Sequence, residues 1–162
     1  MAAVETDLIS ELPTPSVGRV GLLGGSFNPA HDGHRHISLE AHNSLRLDEV
    51  WWLVSPQNPL KEVDDMAPMA TRLSEARHIA HSPHIRVTDF ESRLGIRYTV
   101  DTVAALKSRF ADTRFVWLMG ADNLLQMPKW RDWEMLFRSV PIAVFTRSSY
   151  SRKALAGVAA QQ

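Results

Sequence analysis

Val20-Gly21-Leu22-Leu23-Gly24-Gly25-Ser26-Phe27-Asn28-Pro29-Ala30-His31-Asp32-Gly33-His34 reads as a short apolar strand, a glycine turn and the start of a helix. Gly24 and Gly25 carry no Cβ, so an anion can approach the main chain there. The helix beyond them offers unpaired N–H groups and the positive end of its dipole. His31 and His34 are three positions apart, so they share one helix face or one turn. Two imidazole donors beside a phosphate-binding helix start suggest chemistry on a nucleotide. A zinc site on His31, His34 and His36 is the weaker alternative, because positions i and i+2 of a helix diverge and no cysteine exists to help.

Outward from this stretch, apolar spacing sets the remaining elements. Ile37, Ala41 and Leu45 recur every four residues and predict a packed helix. Val50-Trp51-Trp52-Leu53-Val54 is a continuous apolar strand, and the two prolines within Ser55 to Lys61 let neither element continue. Met69, Leu73, Ala76, Ile79 and Ala80 predict a second helix, and Ile85 to Thr88 a brief strand. Tyr98 to Phe110 reads as a helix through Val100, Val103, Ala104 and Leu106, with Thr99 as its cap. Phe115 to Met119 is a strand closed by Gly120, Trp130 to Val140 contains a helix, and Ile142 to Phe145 is a last strand.

Strands that are apolar throughout and alternate with helices predict an α/β fold, a mostly parallel sheet with helices on both faces. Ligands of such folds bind at the carboxyl ends of the strands, near a topological switch point. Four polar clusters follow strands here: Gly24 to His34, Ser55 to Lys61, Gly120 to Asp122, and Thr146-Arg147.

The composition, 44% hydrophobic and 22% charged over 162 residues, suits one ordinary globular domain. Lys+Arg and Asp+Glu both number 18, so there is no basic excess to meet a nucleic acid. The absence of cysteine excludes disulfides and thiol catalysis. No apolar run approaches the roughly 20 residues that span a bilayer. Met1 to Ser16 carries Glu5, Asp7 and Glu11 and no basic residue, unlike a secretory signal, so a cytoplasmic location is expected. Pro13 and Pro15 mark residues 1–17 as a mobile leader to a single domain over 18–162.

At this point the residues resemble a known signature. Gly24-Gly25-Ser26-Phe27-Asn28-Pro29 followed by His31-Asp32-Gly33-His34 is similar to the motif of the nucleotidyltransferase superfamily, with Asn28 where Asp is common. Further motifs resemble bacterial nicotinate-nucleotide adenylyltransferases: Leu47 to Trp52, Pro56-x-Asn58-Pro59-x-Lys61, Arg97-Tyr98-Thr99-x-Asp101-Thr102, Gly120-Ala121-Asp122 and Trp130-x-x-Trp133. The match runs from about Gly18 to Arg147.

The resemblance implies a Rossmann-like nucleotidyltransferase fold and transfer of AMP from ATP to nicotinate mononucleotide, giving deamido-NAD and pyrophosphate. It implies His31 and His34 as catalytic donors to the ATP phosphates. Gly24, Gly25, Ser26, Phe27, Gly120 and Asp122 would complete the ATP site. Asn58, Lys61, Tyr98, Thr99, Asp122, Trp130 and Arg147 would bind the mononucleotide. Trp130 would stack on the nicotinate ring, and main-chain N–H groups near Thr99 and Trp130 would receive its carboxylate. Mg²⁺ would come with ATP, held by substrate oxygens rather than by a protein cage.

Each role has a plainer counterpart: a core anchor for Trp130, a helix cap for Asp122, a solvated cation for Lys61. Trp133 reads as core, Trp51, Trp52 and Trp117 as strand packing, and His36, His42, His78, His81 and His84 as surface or structural residues. A homo-oligomer is compatible with the family reading.

The family's late Ile-Ser-Ser/Thr-Thr-x-Ile-Arg motif is not found in this sequence. The expectation is therefore a C-terminally short domain. Two alternatives follow: a nucleotide binder with little turnover, and phosphopantetheine adenylyltransferase, which the Tyr98-Thr99 and Trp130-x-x-Trp133 signatures disfavour.

Overall fold

The computed structural model describes residues 18–56 and 66–146. The leader over 1–17 and the site candidates Asn58, Lys61 and Arg147 lie outside the described residues. Five strands form one sheet: β1 Arg19–Gly25, β2 Glu49–Val54, β3 Ile85–Thr88, β4 Arg114–Gly120 and β5 Ile142–Phe145. Between them run α1 Asp32–Ser44, α2 Met69–Ala80, α3 Phe90–Leu94, α4 Thr99–Arg109, α5 Ala121–Leu124 and α6 Trp133–Ser139, with a 3₁₀ turn at Met127–Lys129.

The strand order is β3-β2-β1-β4-β5, and every pairing is parallel. The expectation of a mostly parallel sheet is thus met by a wholly parallel one among the described strands. Alternate side chains of each strand go to opposite faces. Val50, Trp52 and Val54 of β2 join Leu23, Leu118, and the α1 and α2 residues Ile37, Ala41, Leu73 and Ala76 in one core. Trp51 and Leu53 join Val20, Leu22, Trp117 and the helical residues Phe90, Val103, Leu106 and Leu136 in the other. Both faces are covered, so the inner positions of β1, β2 and β4 are apolar in succession and read as continuous runs, while the charged residues Arg19, Glu49 and Arg114 stand at the strand starts.

Chain order sets the crevice. The chain steps from β1 out to β2 and β3, then returns to β4 on the other side of β1. The connections after β1 and β4 therefore leave their neighbouring strands toward opposite faces, which opens a switch point at their carboxyl ends. Because all five strands are parallel, the described parts of the polar clusters that follow β1, β2, β4 and β5 (Gly24 to His34, Ser55-Pro56, Gly120 to Asp122 and Thr146) leave the sheet at that same edge.

The helix expected within Trp130 to Val140 is α6, which starts at Trp133, because Met127–Lys129 winds as a 3₁₀ turn and Trp130 closes it in extended backbone. At α4 the cap position is Tyr98, and Thr99 is the first helical residue; no side-chain hydrogen bond caps this end. The short α3 was not foreseen; it ends on Gly95 at φ 68, a left-handed stop that glycine adopts without strain.

Candidate active site

His31 and His34 meet at the first turn of α1, and they are joined through backbone. His31 occupies the N-cap position, and its Nδ1 accepts the Gly33 N–H at 3.1 Å. His34 Nδ1 accepts the His31 N–H at 3.1 Å. The two rings lie 3.9 Å apart. A nitrogen that accepts an N–H carries no proton, so in each neutral ring the proton sits on Nε2. Each histidine is thereby fixed as a donor through the ring nitrogen that its backbone bond does not use. Histidine stands in for the usual Ser/Thr and Glu of a capping box.

The rings are supported from below. Phe27 is 1% exposed and lies against His34 at 4.5 Å and against Trp52 at 5.0 Å, nearly parallel to the indole. Trp52 Nε1 donates to Ser38 Oγ at 2.7 Å, and that hydroxyl donates to His34 O at 2.8 Å. Phe27 therefore offers a ligand its backbone only, held at φ 50.

The two glycines serve different ends. A Cβ on Gly24 would fall 2.6 Å from Trp117 Cη2, so its missing side chain is accounted for by packing of that indole. A Cβ on Gly25 would meet nothing closer than Phe27 Cε2 at 3.8 Å, so its openness is compatible with a ligand close to the chain.

Asp122 lies in the first turn of α5, where Gly120 holds the N-cap position, which corrects the reading of Asp122 as the cap. Its carboxylate is folded back over Gly120: a Cβ there would come within 2.8 Å of Asp122 Oδ1 and 3.5 Å of Ile37 Cδ1. The end of β4 and the flank of α1 thus converge.

Trp130 is half-buried and packs edge-on to Trp117 at 6.4 Å and 86°. Trp117 consequently touches both the glycine turn and the Trp130 loop. Arg131 lies over the Tyr98 ring at 4.9 Å, which brings the start of α4 to the same loop. Trp130's own N–H donates to Met127 O at 2.9 Å, so it is already used and does not fit the expected role of a carboxylate donor. At α4 the N–H groups of Asp101 and Thr102 return to Tyr98 O, while the first two helical N–H groups, Thr99 and Val100, have no acceptor within the helix. Trp51, Trp52 and Trp117 are core, as expected, whereas Trp133, read as core, is only half-buried and lies edge-on to the exposed Phe137.

Two residues that the sequence reading missed shape this edge. Arg72 of α2 is 2% exposed and has carbonyl acceptors in three segments around the site. Burial lowers its pKa, but guanidinium keeps its charge in proteins. Glu91 of α3 is 6% exposed; burial pushes its carboxyl up to about 7, against a smaller opposing effect of the hydrogen bond from Thr102 Oγ1. Thr102 belongs to α4, so Glu91 braces the helix whose start faces the Trp130 loop.

The remaining histidines stay away from the site. His36 pairs with Glu40 at 3.3 Å on the outer face of α1, and His42 stacks on His84 at 4.1 Å. Among the described residues no group of three or more His, Cys, Asp or Glu side chains is placed to hold a metal ion. No described helix is long and apolar enough to cross a membrane.

A parallel sheet with a histidine-capped helix start at its switch point defines a nucleotidyltransferase, and the chain belongs to the cytidylyltransferase-like family, whose model matches residues 22–160. A Parvibaculum lavamentivorans protein named "probable nicotinate-nucleotide adenylyltransferase" is 58% identical over 144 residues, covering 89% of this chain and 71% of the relative. A protein of the same name from Erythrobacter litoralis is 55% identical over 141 residues, covering 87% of this chain and 64% of the relative. The fold matches that of Plasmodium falciparum nicotinic acid mononucleotide adenylyltransferase complexed with NaAD, with a TM-score of 0.72, 19% identity, and coverage of 85% of this chain and 71% of that one.

Proposed function

We propose that this protein is a nicotinate-nucleotide adenylyltransferase: it transfers AMP from ATP to nicotinate mononucleotide and releases pyrophosphate. The observation that carries the reading is the His31–His34 cap, which presents two Nε2–H donors beside the start of α1 at the switch point. Relatives of that name at 55% and 58% identity support the substrate assignment.

The chemistry asks little covalent work of the protein. An oxygen of the mononucleotide phosphate forms a bond to the α-phosphorus of ATP as the bond from that phosphorus to the β-phosphate oxygen breaks. The electron pair leaves with pyrophosphate. Positioning and charge stabilisation are then the main needs. His31 and His34 donate to phosphate oxygens whose charge grows at the transition state. The start of α1 adds its dipole, and backbone from Gly25 to Phe27 lies beneath ATP. Mg²⁺ brought with ATP would supply charge neutralisation, and because no group of three or more His, Cys, Asp or Glu among the described residues is placed to hold it, substrate oxygens would hold it.

On the acceptor side, Trp130 stacks on the pyridine ring while Tyr98 and the first N–H groups of α4 face its carboxylate. Asp122 accepts a hydrogen bond from either substrate, and Lys61 with Arg147 meets phosphate as cations. Asn58 contacts the mononucleotide.

The test is pyrophosphate release from ATP and Mg²⁺ with nicotinate mononucleotide, nicotinamide mononucleotide or phosphopantetheine as acceptor. Release that needs nicotinate mononucleotide is the expected result. Release with phosphopantetheine alone, or none with any acceptor from a folded protein that binds ATP, contradicts the proposal.

A further inference from the structure

The guanidinium of Arg72 lies where the site's loops meet. Its Nε donates to Ala67 O at 2.8 Å. One terminal nitrogen donates to Ser26 O at 2.9 Å and to Ser55 O at 2.6 Å. The other donates to Pro56 O at 3.2 Å. All four acceptors are neutral main-chain carbonyls, on three separate segments: the glycine turn after β1, the exit of β2, and the approach to α2. Two further bonds close the same junction, Ser55 N–H to Gly25 O at 2.9 Å and Ala67 N–H to Asn28 Oδ1 at 3.1 Å.

A buried cation with no carboxylate beside it among the described residues is a costly way to hold a fold together. Four fixed carbonyls around a planar fork instead specify one relative placement of the loops. The Ser26–Phe27 link adds a directional effect. In a trans peptide the C=O and N–H point opposite ways. Drawing Ser26 O onto the guanidinium therefore turns the Phe27 N–H away from Arg72, in the turn that leads to His31 and His34.

We infer that Arg72 is a positioning residue for adenylyl transfer: it fixes the loop after β1, which leads to the histidine pair, against the loop after β2, which leads to Asn58 and Lys61. This rests on the proposed function, because those two loops are there assigned to ATP and to the mononucleotide. Arg72 touches neither substrate. It sets the alignment between the attacking phosphate and the α-phosphorus, a quantity to which rate is steeply sensitive and binding is not.

Arg72→Lys keeps the charge and loses the fork, and it separates this role from a structural one. Each substrate still meets its own loop, so the KM values for ATP and for the acceptor are expected to stay within about threefold, while kcat falls about a hundredfold. In the same variant, hydrogen exchange at the Ser55 amide is expected to quicken about tenfold while amides of the central strands β1 and β4 keep their protection. A kcat equal to that of the unaltered protein, or one that falls only in step with the folded fraction, overturns the inference. If the unaltered protein releases no pyrophosphate, the functional reading fails on its own, and the exchange measurement decides the inference: unchanged Ser55 exchange overturns it, and selective loss of that protection upholds it.

Discussion

Trp51 and Trp52 are neighbours in sequence and lie on opposite faces of the sheet, in very different company. On the α1–α2 face, Trp52 has a hydroxyl partner in Ser38, carries Phe27 and His34 on its ring, and lies near the buried Arg72 junction. On the α3–α6 face, Trp51 Nε1 is the buried side-chain polar atom left without a hydrogen-bond partner among the described residues. That face also holds a buried carboxyl, two helices of five residues or fewer, and the exposed apolar side chains Leu125, Met135 and Phe137. The difference shows where rigidity is concentrated. The proposed phosphate side is fixed by the hydrogen bonds of His31, His34, Ser38, Trp52 and Arg72, as suits donors that must meet a transition state in place. The proposed acceptor side is built of short pieces around Trp130, as suits a surface that receives a ring.

His34→Ala should break the contrast most severely. Removing one preorganised donor is expected to lower kcat about 10²–10³-fold with smaller changes in either KM. Equal losses in binding and rate, from steady-state kinetics, would move His34 from catalysis to simple binding.

Glu91 offers the next effect, on the other face. Its carboxyl holds a proton more tightly in the folded chain, near 7, than at the ordinary 4.5 of an unfolded one. Between those values the folded state binds more protons, so stability falls as pH rises through the window. The gap of about 2.5 units corresponds to about 3 kcal/mol at most. Glu91→Gln keeps an acceptor for Thr102 and cannot ionise. Urea unfolding at about pH 5 and about pH 8 should show this variant gaining on the unaltered protein at the higher pH. Parallel pH curves would mean that folding does not raise the Glu91 pKa.

Trp130→Ala should raise KM for the mononucleotide about ten- to a hundredfold and leave KM for ATP unchanged, since one stacked aromatic contact is at stake. A matching rise for ATP would erase the division of labour between the faces. Ser38→Ala should cost about 1–3 kcal/mol in thermal unfolding, because the indole N–H of Trp52 would be buried without a partner. The smallest effect is the most specific. Trp52→Phe should cost about 1 kcal/mol more than Trp51→Phe, since only the former gives up a hydrogen bond. Equal costs would show that the two faces do not differ in this respect.

The strands and long helices were legible because burial on both faces gives β1, β2 and β4 continuous apolar runs, and α1, α2 and α4 carry apolar residues at helical spacing. The histidine pair was legible as a motif, but its geometry was not: nothing in the residue types says that imidazole nitrogens would cap α1 and so fix their own tautomers. Arg72 escaped notice because a helical arginine reads as solvated. The signal was its place between Met69, Leu73 and Ala76, on the stripe that must be buried. Glu91 sits in a helix too short to show a period, and Trp130's spent N–H depends on a 3₁₀ turn that spacing does not reveal. Gly24 was read as space for a phosphate, and that Trp117 occupies the place of its missing side chain is visible only in the packing.

The proposed reaction is direct transfer of an adenylyl group at the carboxyl edge of the sheet, with no enzyme-bound intermediate. It is tested by following ATP made chiral and isotopically labelled at its α-phosphorus, incubated with nicotinate mononucleotide and the protein. Under direct transfer the labelled phosphorus enters the dinucleotide with its configuration inverted, as one in-line displacement requires. Retention of configuration, or label that never leaves ATP while the protein is folded and ATP is bound, would contradict it.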